Sequence, residues 1–133
     1  MPDMTKSFID ALGRLETQHD ADTIALLFAD RAQVANPLVN YDDGGSGAAK
    51  TFWSQYRAAF DEIRSEFSSV TEKDGMSFLE WHSRGLIDGK PFDYDGVSVL
   101  ESDGEKITAF RTYFDTRHIP AAHSKGGAQT GRA

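Results

Sequence analysis

The chain has 133 residues, of which 39% are apolar and 26% charged, so it can fold as one domain with its own core. Lys and Arg number 14 against 21 Asp and Glu, and the net charge of -7 argues against a nucleic-acid partner. Cysteine is absent, which excludes disulfides and thiolate catalysis. No membrane-spanning run and no basic-then-apolar leader pattern occur, so we expect a cytoplasmic protein with no membrane partner.

Three helices are predicted in the first half of the chain. Apolar residues recur at helical spacing in the first and third of them: Phe8, Ile9, Leu12 and Leu15, then Ala49, Phe52, Trp53, Tyr56 and Phe60. Asp22 is expected to cap a short second helix that carries Ile24, Leu27 and Phe28, and Ser46 to cap the third. A short strand is expected over 32–35, before Pro37.

Beyond Phe60 the apolar period changes to two. Asp-Gly pairs at 74–75, 88–89 and 103–104 separate four alternating runs, 63–73, 76–87, 90–101 and 106–115. This pattern predicts an antiparallel meander, and the fold class is α+β: a curved antiparallel sheet wrapped around three N-terminal helices, as in a cone-shaped α+β barrel. Residues 1–120 are expected to form the domain, and the Ala- and Gly-rich residues 121–133 a mobile tail.

Several segments carry a family resemblance. They are LLFADRA (26–32) leading into VANP (34–37), then DYDGVSVLE (93–101) and GEKITAFRTYFD (104–115). Their order and spacing resemble the nuclear transport factor 2-like superfamily, in particular its SnoaL-like group, which is related to limonene epoxide hydrolase and ketosteroid isomerase folds. The resemblance implies a cystatin-like cone whose open end holds a ligand. It does not imply one reaction, because the fold hosts isomerases, hydrolases, cyclases, dehydratases and non-catalytic binders.

The acids of two related active sites do not match this sequence. Ketosteroid isomerases have a tyrosine on the first helix, an Asp base before a proline and a protonated Asp on a later strand. The resemblance aligns these three positions with Leu12, Asn36, and Gly96 or Val97 of this chain. An amide cannot take a proton from carbon, so that mechanism is not expected. Limonene epoxide hydrolases use an Asp-Arg-Asp relay, and the resemblance aligns its positions with residues 81–83 and Thr112, which do not carry those groups. Of the residues of that site, only the amide that holds the water is matched, by Asn36.

The candidate catalytic residues are therefore Asn36, Asp42, His82 and Asp93. Asn36 precedes a proline, and Asp42 lies in a Gly-rich turn expected near the mouth of the cone. Strand alternation places Trp81 inward and His82 outward, so His82 would enter the cavity only if a bulge changed the register. The same alternation points Asp93 outward.

The predicted cavity wall is neutral and largely apolar. Its expected residues are Asn36, Trp53, Tyr56, Trp81, Ser83, Tyr94, Thr112 and Phe114. Such a wall favours a small apolar molecule with one or two hydrogen-bonding oxygens, since an unpaired ion is costly to bury. No metal and no cofactor are expected, because the four histidines lack ligand spacing and no phosphate-binding loop occurs.

The outer sheet face is expected to form a homodimer. Glu80, His82, Arg84, Arg111 and Tyr113 give it both charge signs and an aromatic, as interface rims have. Two functions stay open at this point. One is an acid/base isomerase, cyclase or hydrolase acting on a hydrophobic substrate; the other is a non-catalytic ligand-binding or dimerisation module of the same fold. The missing acids favour the non-catalytic module. Asn36 and the aromatic wall are features that still support the enzyme.

Overall fold

The computed structural model describes residues 4–38, 40–41 and 47–118. In this part of the chain there are three α-helices, one 3₁₀ turn and six strands. The helices are α1 (Met4–Gln18), α2 (Ala21–Ala25) and α3 (Ala48–Ala58), and the 3₁₀ turn covers Thr116–His118. The strands are β1 (Phe28–Ala35), β2 (Asn40–Tyr41), β3 (Glu62–Lys73), β4 (Met76–Ile87), β5 (Lys90–Ser102) and β6 (Ile107–Phe114).

The strands form one curved sheet that does not close into a barrel within the described residues, and its order is β2-β1-β6-β5-β4-β3. The predicted antiparallel meander from β3 to β6 is confirmed. The expectation of a wholly antiparallel sheet is wrong at one pair, because β1 runs parallel to β6. Turn residues fix the direction of consecutive strands only, and β1 and β6 are far apart in the chain.

Two of the three predicted Asp-Gly turns are tight hairpins. Asp74 and Gly75 have φ of 53° and 80°, and Asp88 and Gly89 have φ of 52° and 76°, as a type I′ turn requires. The third connection is longer, because β5 ends at Ser102 and β6 begins only at Ile107. There the Asp103 carboxylate accepts hydrogen bonds from the backbone N–H groups of residues 105 and 106 at 2.9 Å.

The N-terminal expectations need two corrections. Asp20, not Asp22, caps α2, since its carboxylate accepts from the backbone N–H of Thr23 at 3.0 Å. Phe28 belongs to β1 and not to the helix, because α2 ends at Ala25 and the chain then pairs with β6. The structure starts α3 after Gly47, and the predicted cap Ser46 and the predicted tail 121–133 lie outside the described residues.

Two apolar clusters lie between the helices and the sheet. The first is built on the three helices and the inner residues of β1 and β6, and includes Phe8, Trp53 and Phe110. The second lies over β3, β4 and β5 and consists of Phe60, Ile63, Trp81, Ile87, Phe92 and Tyr94. Tyr56 on α3 packs against both clusters. No helix in the described part of the chain is long and apolar enough to cross a bilayer.

Gly96 on β5 gives the clearest test of this packing. A Cβ there would lie 2.6 Å from Cη2 of Trp81 and 2.7 Å from the carbonyl oxygen of Tyr113. We expect Gly96→Ala to lower the free energy of unfolding by about 1–3 kcal/mol in urea titrations, because the indole must move. Gly13 in α1 has open space around it, so Gly13→Ala should stabilise by about 0.5–1 kcal/mol. Equal effects of the two substitutions would contradict this packing.

Candidate functional site

A buried carboxyl lies between the helices and the sheet. Glu16 follows Leu12 by four residues on α1, so it occupies the buried face of the helix, and it is only 3% exposed. Its Oε1 accepts from the backbone N–H of Ser65 at 2.9 Å. Its Oε2 accepts from the Ser65 hydroxyl at 2.6 Å and from the Tyr56 hydroxyl at 2.9 Å. The carboxyl thus joins α1, α3 and β3.

The pKa of Glu16 lies above its usual 4.5. Burial raises it, and the hydrogen bonds from Ser65 and Tyr56, together with the positive charge of Arg64, offset only part of that rise. A carboxyl whose pKa is raised exchanges its proton closer to neutral pH than an exposed glutamate does. This is the property that a general acid or base needs.

Arg57 fixes the end of α1 that carries Glu16. Its buried guanidinium donates from Nε to the backbone carbonyl of Glu16 at 3.1 Å and from Nη1 to the carbonyl of Phe60 at 2.8 Å. A third bond, from Nη2 to the carbonyl of Asp61, measures 3.4 Å. Arg57 therefore ties the last turn of α1 to the segment that links α3 to β3, and positions the carboxyl over the sheet.

A row of polar side chains crosses the inner sheet face beneath Glu16. Ser65, Ser83 and Tyr94 are directly paired neighbours on β3, β4 and β5. The hydroxyls of Ser65 and Ser83 are 2.6 Å apart. Tyr94 is 4% exposed, and its ring contacts those of Trp81, Phe92 and Phe114 at centroid distances of 5.0, 5.8 and 5.2 Å. Burial raises the pKa of both Tyr56 and Tyr94, so both are neutral donors.

A second chain of hydrogen bonds holds the Trp81 indole. Its Nε1 donates to the Ser98 hydroxyl at 2.9 Å, and that hydroxyl donates to Thr112 at 2.9 Å. Thr112 in turn donates to the carbonyl of Val97 at 3.2 Å. The indole ring lies over Gly96, one of the two positions where the resemblance places the second acid of the isomerases. An aromatic ring covers that position here.

The structure places most of the predicted wall residues on one inner surface. Tyr56, Trp81, Ser83, Tyr94, Thr112 and Phe114 lie in or against the second apolar cluster or its hydrogen-bond chains. Trp53 belongs to the first cluster, where aromatic rings surround it, and its Nε1 has no partner among the described residues. Asn36 lies after β1, and its Oδ1 accepts from the backbone N–H of Leu38 at 2.7 Å, as in an Asx turn.

The ionisable candidates from the sequence lie elsewhere. His82 is on the outer sheet face, with Nδ1 2.5 Å from Asp95 and Nε2 3.9 Å from Asp93. The pairing of β4 with β5 runs without a shift from Met76 to Ile87, so no bulge there turns His82 inward. Asp93 is exposed on the same face. Asp42 falls outside the described residues.

Sequence reasoning missed Glu16. The available signal was its spacing, since it continues the series Phe8 and Leu12 at four-residue steps on the apolar face of the first helix. A charged residue at a core position of a helix is rarely fully buried unless it is paired or hydrogen-bonded, and here Ser65 and Tyr56 provide the bonds.

Comparison with known proteins identifies the family. The model of the SnoaL-like domain matches residues 6–110. The chain belongs to the SnoaL-like family. A search of curated proteins found no match to this SnoaL-like domain.

Solved structures share the fold of this SnoaL-like domain at low identity. A nuclear transport factor 2-like protein from Anabaena variabilis has a TM-score of 0.76 at 18% identity, over 84% of this chain and 87% of that one. An epoxide hydrolase of the limonene epoxide hydrolase type from M. tuberculosis has a TM-score of 0.69 at 18% identity, over 87% and 83%. A protein with a ketosteroid isomerase-like fold from Catenulispora acidiphila, in complex with trimethylamine, has a TM-score of 0.70 at 15% identity, over 91% and 92%.

The raised pKa of Glu16 has a consequence for stability. Below the usual value of 4.5 the carboxyl is protonated in both the folded and the unfolded chain, and its stabilising contribution is fully present. As the pH rises through the folded pKa, the folded state must ionise a buried group and that contribution is lost. The free energy of unfolding of the wild type relative to Glu16→Gln should therefore fall as the pH rises above the usual 4.5, as measured by urea titrations.

Asp20→Asn provides a control of opposite sign. Hydrogen bonds from Thr23 and Arg14 lower the pKa of Asp20 to about 2. Its contribution is therefore present above the usual 3.8 and lost as the pH falls. If the free energy of unfolding of the wild type relative to Glu16→Gln rose with pH, the fold would favour the Glu16 carboxylate and not the acid.

Proposed function

We propose that the protein binds a small, largely apolar molecule against the inner face of β3, β4 and β5 and exchanges a proton with it through the Glu16 carboxyl. The observation that carries this proposal is the burial of Glu16 among oriented neutral donors, Tyr56 and Ser65. As a carboxylate, Glu16 would take a proton from a C–H group or a water. As an acid, it would protonate a carbonyl, alkoxide or epoxide oxygen.

The surroundings of Glu16 support an apolar substrate. The rings of Trp81, Phe92 and Phe114 lie around Tyr94, and Phe60 stacks on Phe92 at 5.2 Å. The hydroxyls of Ser83, Ser98 and Thr112 are already hydrogen-bonded within the protein. Two cations lie beside Glu16 in the described part of the chain, Arg64 and Arg57. All three guanidinium nitrogens of Arg57 already donate to backbone carbonyls, so a neutral molecule fits this surface better than an anion.

The names of two structural neighbours support small-molecule chemistry on this fold. These neighbours are an epoxide hydrolase and a protein with a ketosteroid isomerase-like fold. Where the isomerases use a base before proline, this chain has Asn36 in a turn. Glu16 would supply the missing acid from α1, at the point where its carboxyl contacts Ser65 of β3.

A specific observation favours a second candidate, a ligand-binding protein without catalysis. Both oxygens of Glu16 are engaged by donors of the protein itself, so the carboxyl has a structural role in joining α1, α3 and β3. In this alternative the same inner face holds the ligand, and Glu16 only maintains its shape.

Replacement of Glu16 separates the two candidates. A panel of neutral cyclic epoxides and enones is incubated with the wild type and with Glu16→Gln, which keeps the size of the side chain. We expect Glu16→Gln to bind the substrate but to lower kcat by about 10²–10⁴-fold, the usual contribution of a general acid or base. Glu66→Gln, an exposed glutamate on the same strand as Ser65, is the matched control and should keep full activity. Binding without turnover by the wild type would favour the non-catalytic candidate.

We also propose that two copies associate through the outer sheet face. Phe78 and Tyr113 are 42% and 56% exposed there. Phe78 on β4 pairs with Val99 of β5, and Tyr113 on β6 pairs with Val97 of β5. Polar residues, with charges of both signs among them, surround this apolar centre: Glu80, His82, Arg84, Asp93 and Asp95. An apolar centre with a mixed polar rim suits a self-complementary two-fold contact.

Light scattering at micromolar concentration tests the dimer. The wild type should have the mass of two chains, and Phe78→Glu or Tyr113→Glu the mass of one, because each buries a charge at the centre of the interface. Leu26→Glu, at an exposed leucine between α2 and β1, should remain dimeric. A monomeric wild type, or dimeric Phe78→Glu and Tyr113→Glu variants, would contradict the proposal.

A further inference from the structure

We infer that the hydroxyl of Tyr94 donates a hydrogen bond to the ligand and selects molecules that carry an accepting oxygen, such as a ketone, ether or epoxide. This inference rests on the proposed binding at the inner face of β3, β4 and β5. It assigns to Tyr94 a positioning role beside the carboxyl of Glu16.

Strand pairing places Tyr94 in the same row as the groups that hold Glu16. Tyr94 is the direct neighbour of Ser83, and Ser83 is the direct neighbour of Ser65. Hydrogen bonds then lead from Ser83 through Ser65 to the carboxyl, with both oxygen–oxygen distances at 2.6 Å. A ligand lying over this row would meet Tyr94 at one end and Glu16 at the other.

The hydroxyl of Tyr94 differs from its neighbours because no residue in the described part of the chain bonds to it. The hydroxyl of Tyr56 is used by Glu16, and those of Ser98 and Thr112 belong to the Trp81 chain. Buried tyrosine hydroxyls usually have a partner, since an unmade bond costs about 1–3 kcal/mol. Such a donor at the edge of an acid/base site is suited to an oxygen of the ligand.

A second unpartnered donor provides a contrast. Nε1 of Trp53 is fully enclosed, and the rings of Phe8, Phe28, Phe52 and Phe110 pack around that indole. Among the described residues, Nε1 of Trp53 is the one side-chain polar atom that is both fully enclosed and without a partner. The Tyr94 hydroxyl also has no partner among them, so it is not fully enclosed. The hydroxyl of Tyr94, on a residue that is 4% exposed, therefore keeps part of its surface accessible, and the proposal places the ligand oxygen there.

The chemistry of the group matches the role. Burial and the negative charge of Glu16 both raise the pKa of Tyr94, so the phenol stays neutral and acts as a donor. A phenol that donates to a carbonyl or epoxide oxygen draws electron density toward that oxygen. This assists proton transfer to or from a neighbouring carboxyl.

The test compares two probes of the same shape, adamantanone and adamantane, which differ only in the carbonyl oxygen. Binding to the full chain is followed by indole fluorescence, since Trp81 contacts Tyr94. The wild type should bind the ketone more tightly than the hydrocarbon. Tyr94→Phe should lose about 5- to 10-fold in affinity for the ketone and keep its affinity for the hydrocarbon, because one hydrogen bond is removed and the ring stays.

Two control variants and a stability measurement complete the experiment. Tyr94→Phe should unfold at the same urea concentration as the wild type, because no bond within the protein is lost. Tyr56→Phe should be less stable, because it loses the bond to Glu16, and Tyr113→Phe, on the outer face, should leave both affinities unchanged.

The outcomes separate the two proposals. If the wild type binds neither probe, the proposed binding surface is wrong and the role of Tyr94 is wrong with it. The role of Tyr94 is overturned, while the binding surface stands, if the wild type binds the ketone and the hydrocarbon equally. The same conclusion follows if Tyr94→Phe weakens the binding of both probes equally, or of neither.

Discussion

The burial of the Glu16 carboxyl is the constraint on which the rest of this structure depends. Taking a carboxylate out of water costs several kcal/mol, and the fold offsets that cost with three hydrogen bonds from Tyr56 and Ser65. These donors come from α3 and β3, so the carboxyl ties both elements to α1. Arg57 fixes the same helix end through its backbone carbonyl.

In the proposed function, the interaction that organises the packing also gives the site its chemistry. The removal from water that makes Glu16 costly raises its pKa, and the hydrogen bonds that stabilise it also orient it. Positions that carry acids in related enzymes are otherwise occupied, since Gly96 lies under an indole and Asn36 forms a turn. In the proposed function, an acid contributed by α1 takes the place of those acids.

Much of the sheet could be predicted from the sequence, because its signals are local. Two-residue alternation predicted correctly that Trp81 and Ser83 face inward and His82 outward, and Asp-Gly pairs predicted the two tight hairpins. Glu16 could not be recognised in this way, because its donor Ser65 lies 49 residues further along the chain. The parallel pairing of β1 with β6 was missed for the same reason, since no turn connects those strands.

Titration of the Glu16 carboxyl itself tests the account most directly. The carboxyl carbon can be followed by carbon-13 NMR from acid to neutral pH, with its signal assigned by its disappearance in Glu16→Gln. The account predicts that this carbon titrates above the usual value of 4.5. A Glu16 that titrates at or below 4.5 would mean that the hydrogen bonds from Ser65 and Tyr56 outweigh burial, and that the group is a structural carboxylate with no acid/base role.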